Sequence, residues 1–116
     1  MQKSITTSKL SELSKSDMSS IFKSGNKKNI TDLLLYITFN IDDFEWVQEQ
    51  CIKMIASKDE DISGLAITCI GHIARIYSKI SANSLVALRK KRNDTQLGGR
   101  VQDALDDIET FTAHKE

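Results

Sequence analysis

The chain has 116 residues, which is enough for one domain with one hydrophobic core. Its 16 basic and 16 acidic residues cancel to a formal net charge of zero, so no overall field draws the molecule to nucleic acid or to an anionic membrane. The absence of proline and the presence of only five glycines argue against a sandwich or barrel of many short strands and favour long helices joined by short polar loops.

Charge is segregated along the chain. Residues 1–41 and 62–92 carry net charges of +3 and +6, whereas residues 42–61 and 93–116 carry −5 and −4. Blocks of alternating sign indicate helices that attract one another, or a surface that a partner recognises by its charged patches.

Neither an export signal nor a membrane span is expected. The start, MQKSITTSKL, has no apolar run and no small-residue cleavage site, and no window approaches about 18 apolar residues. We therefore expect a cytoplasmic protein. Cys51 and Cys69 both fall on apolar helix faces, so we expect them to be reduced, buried and inert.

The predicted elements begin with a frayed lead-in over residues 1–15. A short helix follows in SDMSSIFKSG, which Gly25 can end in the left-handed conformation, and a largely buried helix follows over residues 28–40. Together they form a degenerate first helical unit over residues 16–41. The apolar run LLLYITF is also compatible with a strand, but the helix caps around it favour a helix.

The remaining residues, 42–113, are predicted to form helical pairs. Helices are expected over 43–57, 62–77, 83–92 and 100–113, because apolar residues recur there at helical spacing. The clearest stripe is expected to face the core and contains Ile62, Leu65, Ala66, Cys69, Ile70, Ile73, Ala74, Ile76 and Tyr77. The opposite, exposed side of that helix is expected to carry Gly64, Thr68, Gly71, Arg75 and Lys79.

A shift of 35 residues relates two of these helices. Residues 61–70, DISGLAITCI, superimpose on residues 96–105, QLGGRVQDAL, so that the core stripes and the loops before them coincide. A helix precedes each copy, and the unit is a helix–turn–helix used at least twice. Periods of this size are typical of helical solenoids, in which each pair buries its apolar face by stacking on its neighbours. We expect a single domain over residues 1–116.

Two segments carry a family resemblance. ISGLAITCIGHIARIY has the pattern Leu-Ala-x-x-Cys-hydrophobic-Gly-His-hydrophobic-Ala-Arg, and GGRVQDALDDIETF has the pattern Gly-Arg-x-x-Asp-Ala-Leu-Asp-Asp-Ile. Together they resemble a family of small bacterial HEAT-repeat proteins, which are similar to the immunity partners of bacterial polymorphic toxins, including those of contact-dependent growth inhibition. The resemblance covers roughly residues 42–113. It implies an all-α, HEAT-like fold, an α-solenoid, and a role in neutralising a cognate toxin. The predicted elements amount to about six or seven helices.

No catalytic or metal site is predicted. Cys69 and His72 are three residues apart on one helix, but a buried thiol with no cation beside it is a poor nucleophile. His72 and His114 are the only histidines, and neither has a partner at metal-ligand spacing. We therefore expect a binding protein that is not an enzyme and that uses no cofactor, metal or small-molecule substrate.

Two polar residues of this helix, His72 on its flank and Arg75 on its exposed side, each have two interpretations. The 35-residue shift places His72 at the position of Asp107, where it would approach the acidic run 103–107 of the next helix as an interhelical polar clamp; its alternative is contact with a partner. For Arg75, which lies nearer the centre of the exposed side, partner contact is preferred to the clamp. Arginine suits either role because it makes paired, bidentate contacts with carboxylates.

The basic run RKKR, at residues 89–92, is the one feature typical of nucleic-acid binding. It ends a short helix, where cations suit the helix dipole. No aromatic residues are interleaved with it, as a stacking platform would need. A solvated helix end is therefore preferred to a phosphate-binding patch.

The acidic run of the last helix, Asp103, Asp106 and Asp107, is the preferred contact surface. The second helix of each solenoid unit lines the concave surface, where Thr68 and Arg75 would adjoin these acids. The nearby glycines would leave room for a partner's side chains. Toxin nucleases are usually basic because they bind phosphates, so an acidic patch would complement their cleft and speed association. Charged residues are also common on surface helices that bind nothing.

The sequence thus predicts an immunity protein that binds the C-terminal domain of a cognate toxin, expected to be a basic nuclease, one-to-one in the cytoplasm. Neither nucleic acid nor a membrane is an expected partner. The alternatives are a general HEAT-type adaptor and a nucleic-acid-binding helical repeat, which would need a continuous basic concave surface. The predicted partner contacts are Thr68, Arg75, Asp103, Asp106 and Asp107 first, then Glu45 and Glu49.

Overall fold

The structure is a computed structural model that describes residues 7–112. Within this range the chain forms seven α-helices and no strand, which confirms the predicted all-α fold. The helices are α1 (Thr7–Leu10), α2 (Lys15–Lys23), α3 (Lys27–Asn40), α4 (Phe44–Ile55), α5 (Glu60–Tyr77), α6 (Ala82–Lys90) and α7 (Gly98–Thr112). The run LLLYITF lies inside α3, so the helical prediction for it is confirmed. Residues 1–6 of the predicted lead-in, residue 113 and His114 lie outside the described residues.

Polar side chains set where the helices begin. Asp43 begins α4 by accepting a hydrogen bond from the backbone N–H of Trp46, and Ser81 caps α6 in the same way. Ser14 begins α2 with a reciprocal capping box, earlier than the sequence suggested. Gly25 follows α2 with a φ of 79°, which confirms the predicted left-handed turn.

The long helices form two rows. α3, α5 and α7 lie side by side in one row, with α5 in the middle. α4 and α6 lie in a second row, with α4 packed on α5, and α6 contacting both α4 and α7. The short α1 and α2 pack on α3. None of the helices in the described range combines the length and the apolar character needed to cross a bilayer.

Contacts between successive helices of a row join residues 32 to 36 positions apart. The Sγ of Cys69 lies 3.9 Å from the carbonyl O of Leu34, 35 residues earlier, and Arg100 donates to the carbonyl O of Gly64, 36 residues earlier. In the second row, the hydroxyl of Ser84 donates to a side chain 36 residues earlier. These separations lie close to the 35-residue shift in the sequence, as expected for stacked helical pairs. The assignment to the HEAT class stays a prediction.

α5 supplies the centre of the core because it has neighbours on three sides. Ile67, Ile70 and Ile73 are all fully buried. The predicted stripe is wrong at two positions: Ile67 was left out of it, and Ile76, which was included, is 49% exposed. The buried arc is therefore rotated toward α7 relative to the prediction.

Two glycines account for this rotation. Gly64 and Gly71 were predicted on the exposed side of α5, but both are buried against α7. A Cβ added at Gly71 would lie 3.4 Å from the Cα of Ala104, so the missing side chain lets the two backbones approach closely. The prediction was wrong because a residue without a side chain does not mark a polar or an apolar face.

One polar side chain is buried between α4 and α6. Gln48 is 2% exposed, and its Oε1 accepts hydrogen bonds from the backbone N–H of Ser81 and the hydroxyl of Ser84, both at 2.9 Å. Its Nε2 donates to the carbonyl O of Phe44 at 3.1 Å. Because an unpaired buried polar group is costly, this network fixes the start of α6 on α4.

Candidate partner-binding face

The first row of helices has an outer side that the second row does not cover. α5 turns one side to the second row, where the hydroxyl of Ser63 donates to the carbonyl O of Ile55 at 2.6 Å, and another side to solvent. We call the outer surface of this row the α3–α5–α7 face. It comprises Leu35 and Phe39 of α3, Thr68, His72, Arg75 and Ile76 of α5, and Arg100, Asp103, Asp107 and Phe111 of α7.

Thr68, a predicted partner contact, is bonded to its own chain. Nη1 of Arg100 donates to the hydroxyl of Thr68 at 2.9 Å and to the carbonyl O of Gly64 at 3.2 Å. A Cβ at Gly64 would lie 3.0 Å from both Cδ and Nε of Arg100. The space that the sequence assigned to a partner's side chain is therefore filled by Arg100.

Arg75 also reaches α7. Its Nε lies 4.0 Å from Oδ1 of Asp107, and its guanidinium lies 5.2 Å from the ring centre of Phe111. Both charged side chains are partly exposed, at 51% and 37%, so this ion pair contributes little to stability. The pair keeps the Arg75 guanidinium and the Asp107 carboxylate next to each other at the surface. The contact between helices, which was the less favoured role for Arg75, is thus present.

His72 lies on the other side of α5. Its ring centre is 5.1 Å from that of Phe39, with an interplanar angle of 54°, so it contacts α3. The sequence instead placed His72 against the acidic run of α7. Three residues rotate a helix by about 300°, so His72 and Arg75 point about 60° apart, and the position beside Asp107 belongs to Arg75.

The acids of α7 differ in how they are engaged. Asp107 pairs with Arg75, and Oδ1 of Asp106 accepts a hydrogen bond from Nε2 of Gln102 at 2.9 Å. Asp103 is exposed, and within the described residues no hydrogen bond or ion pair engages its side chain. Asp103 lies one turn before Asp107 on the same side of α7, whereas Asp106 points further from α5. Asp103 is therefore the most available carboxylate at the edge of the face.

Glu45 and Glu49, the second set of predicted contacts, lie elsewhere. Both are exposed on α4, which belongs to the second row. Glu49 lines a cavity of about 580 Å³ between α4 and α6, together with Ile52 and Val86. The structure therefore separates the two predicted sets onto different sides of the molecule.

Sequence reasoning missed the apolar part of the face. Leu35 and Phe39 are 42% and 55% exposed, although the apolar residues around α3 were taken as evidence that the helix is buried. One observation in the sequence could have indicated this exposure. A helix of a small protein that is apolar all round, without the length of a membrane span, has more apolar surface than its neighbours can cover.

Both cysteines lie in the core. Cys51 and Cys69 are free, fully buried thiols, which confirms their predicted burial. The hydrogen bond between the two side chains, together with burial, raises the pKa of Cys51 well above its usual range, so its nucleophilic thiolate is suppressed. Among residues 7–112 no three His, Cys, Asp or Glu side chains are grouped in a way that could hold a metal ion.

The fold is similar to that of a solved structure. A chain in the crystal structure of the CDI complex from Cupriavidus taiwanensis LMG 19424 superimposes with a TM-score of 0.76 and 25% sequence identity. The match covers 96% of each chain, so it includes the helices before residue 42, for which the sequence patterns indicated no relative. No family model matches this chain, and no curated protein matches it.

Proposed function

We propose that this chain is an immunity protein that binds and neutralises the toxin of a contact-dependent inhibition system or a related polymorphic toxin system. The observation that carries the proposal is the structural likeness to a chain of a CDI complex over 96% of both chains. The Gly-His-x-Ala-Arg and Gly-Arg-x-x-Asp-Ala patterns of α5 and α7 resemble those of small bacterial HEAT-repeat proteins that are similar to immunity proteins, which supports the proposal. Neutralisation by binding requires no catalytic group.

The proposed partner is the C-terminal domain of the toxin, a basic nuclease, bound one-to-one in the cytoplasm. Support for a basic partner comes from Asp103, Asp106 and Glu109, which are exposed along α7. A nuclease cleft is basic because it binds phosphates, so an acidic surface attracts it and displaces or occludes its substrate.

The α3–α5–α7 face is the proposed contact surface. Asp103 and Asp106 supply charge at its edge, and Arg75 with Asp107 supplies a paired patch that a partner can reorganise. Thr68 joins this patch through its bond to Arg100. Glu45 and Glu49 form a second proposed contact set on α4, which requires a partner large enough to reach around the second row.

Co-expression with the toxin domain encoded directly upstream tests the proposal. We expect growth to be restored by the wild-type chain and lost with the double reversal Asp103→Lys/Asp106→Lys, because like charges would then face the basic cleft. Glu12→Lys, an exposed acid in the loop after α1, is the matched control and should protect as well as the wild type. A chain that fails to protect against the toxin, or the absence of a toxin-like neighbour, would leave a general helical-repeat adaptor as the better description.

A further inference from the structure

Four large hydrophobic side chains are exposed in the described part of the chain, and three of them lie on the α3–α5–α7 face. Leu35, Phe39 and Ile76 are 42%, 55% and 49% exposed. Leu35 and Phe39 are one turn apart on α3, and Ile76 is one turn after His72, whose ring contacts Phe39. We call Leu35, Phe39, His72 and Ile76 the apolar patch.

Folding alone does not explain the apolar patch. α3 already turns Leu33, Leu34 and Ile37 into the core, where each is fully buried. Single exposed hydrophobic residues are common on protein surfaces, whereas contiguous groups mark binding sites. An exposed phenylalanine flanked by two aliphatic side chains and an imidazole ring is such a group.

Open space lies beside the exposed ring of Phe39. Phe39 and Ile76 line a recess of about 240 Å³ where the C-terminal ends of α3 and α5 meet. Asp42 and Tyr77 form its polar rim, with the Tyr77 hydroxyl donating to Oδ1 of Asp42 at 3.2 Å. Burial and this bond raise the pKa of Tyr77, which stays a neutral hydrogen-bond donor there. The recess can therefore take an apolar group beside a polar one.

We infer that the apolar patch is the anchor of the toxin interface and takes an apolar side chain that is flanked by basic residues. This inference rests on the proposed function. Binding energy in interfaces concentrates in a few aromatic and aliphatic residues at the centre, surrounded by a polar rim. Here Phe39 lies at the centre, with Asp42 at the recess on one side. Across α5 lie the Arg75–Asp107 pair, Arg100 and the exposed carboxylate of Asp103, which is the acid on that side left to meet a basic partner.

The charge pattern favours a different protein over a second copy of this chain. The basic run of this chain, residues 89–92, lies at the end of α6 in the second row. A copy that used this run to bind the α3–α5–α7 face would join two different surfaces. Such a head-to-tail contact does not close into a dimer by itself and tends to form open chains.

Alanine substitutions in the patch provide the test. Phe39→Ala should raise the Kd for the purified toxin domain by roughly 30-fold or more, and Ile76→Ala should raise it by roughly 5-fold. Ser20→Ala is the control, because Ser20 is exposed on α2, outside both proposed contact sets, and its Kd should stay within about 2-fold of the wild type. Phe39→Leu should recover most of the affinity. Thermal unfolding of each variant checks that the fold is intact.

Three other outcomes would contradict the inference, and they can be told apart. If the wild type binds and neutralises the toxin but Phe39→Ala and Ile76→Ala bind equally well, the proposed function stands and the anchor is elsewhere. If the wild type does not bind the toxin domain, both proposals fail. If the wild type alone sediments as a dimer that Phe39→Ala dissociates, the patch is a self-association surface.

Discussion

Arg100 of α7 donates a hydrogen bond to Thr68 of α5 while its side chain crosses the space above Gly64. This contact makes α5 and α7 one continuous surface. A partner that uses Thr68 must share its hydroxyl with Arg100 or displace the guanidinium. Contacts within the chain thus position the polar side chains of the α3–α5–α7 face in the absence of a partner.

The close approach of α5 and α7 depends on Gly71. Gly71→Leu should lower the free energy of unfolding by about 1–3 kcal/mol, because the new side chain would meet the Ala104 backbone. Gly99→Leu is the matched control: nothing lies within 4 Å of a Cβ there, and better helix propensity should raise stability by up to about 1 kcal/mol. Urea unfolding measures both, and an equal effect of the two substitutions would contradict the close packing.

The buried amide of Gln48 ties α6 to α4. Gln48→Leu leaves the hydroxyl of Ser84 and the backbone N–H of Ser81 without their acceptor, so the free energy of unfolding should fall by about 1–3 kcal/mol. Adding Ser84→Ala should restore part of this loss, because one unpaired group is then removed. A double-mutant cycle in urea measures the coupling, and simple additivity of the two substitutions would argue against the network.

The two thiols should be unreactive in the folded protein. Cys51 and Cys69 have no exposed surface, so a thiol-specific reagent at neutral pH should react only with unfolded molecules. The reaction rate should rise with urea in parallel with unfolding. Rapid labelling of either cysteine without denaturant would show that α4 and α5 open locally.

Stability should fall in acid partly through Asp43, the cap of α4. Hydrogen bonds from the Lys15 ammonium and from the backbone N–H of Trp46 hold the pKa of Asp43 below its ordinary value. A lowered folded-state pKa stabilises the fold above the unfolded pKa of about 4 and loses this effect as pH falls through the folded value. Lys15→Met should therefore weaken the dependence of the urea midpoint on pH below about 5. An unchanged pH dependence in that variant would show that the Lys15–Asp43 pair does not contribute to the loss of stability in acid.

Local spacing predicted the helices well because helix formation depends on residues three and four apart. The 35-residue shift between α5 and α7 likewise needs only the sequence, and contacts at similar separations join the helices of each row. The rotation of α5 was not predictable in this way. It depends on how closely α7 approaches Gly64 and Gly71, which is a property of the packed structure.

The candidate face was predicted in part. The acidic residues of α7 are exposed or partly exposed as expected, with Asp103 available at the edge. The role of Arg100 was missed because a long side chain can reach a neighbouring helix without leaving a periodic pattern. Phe39 was missed because periodicity indicates how many apolar residues a helix carries, but not how much of its circumference the neighbouring helices cover.

Toxin neutralisation is tested most directly by an isothermal titration of this protein with the purified domain of the proposed toxin partner, run in parallel with the toxin's own activity assay. We expect tight binding at a ratio of one-to-one and complete loss of toxin activity at the same equivalence point. No detectable binding, or full toxin activity in the presence of excess protein, would contradict the assignment as an immunity protein.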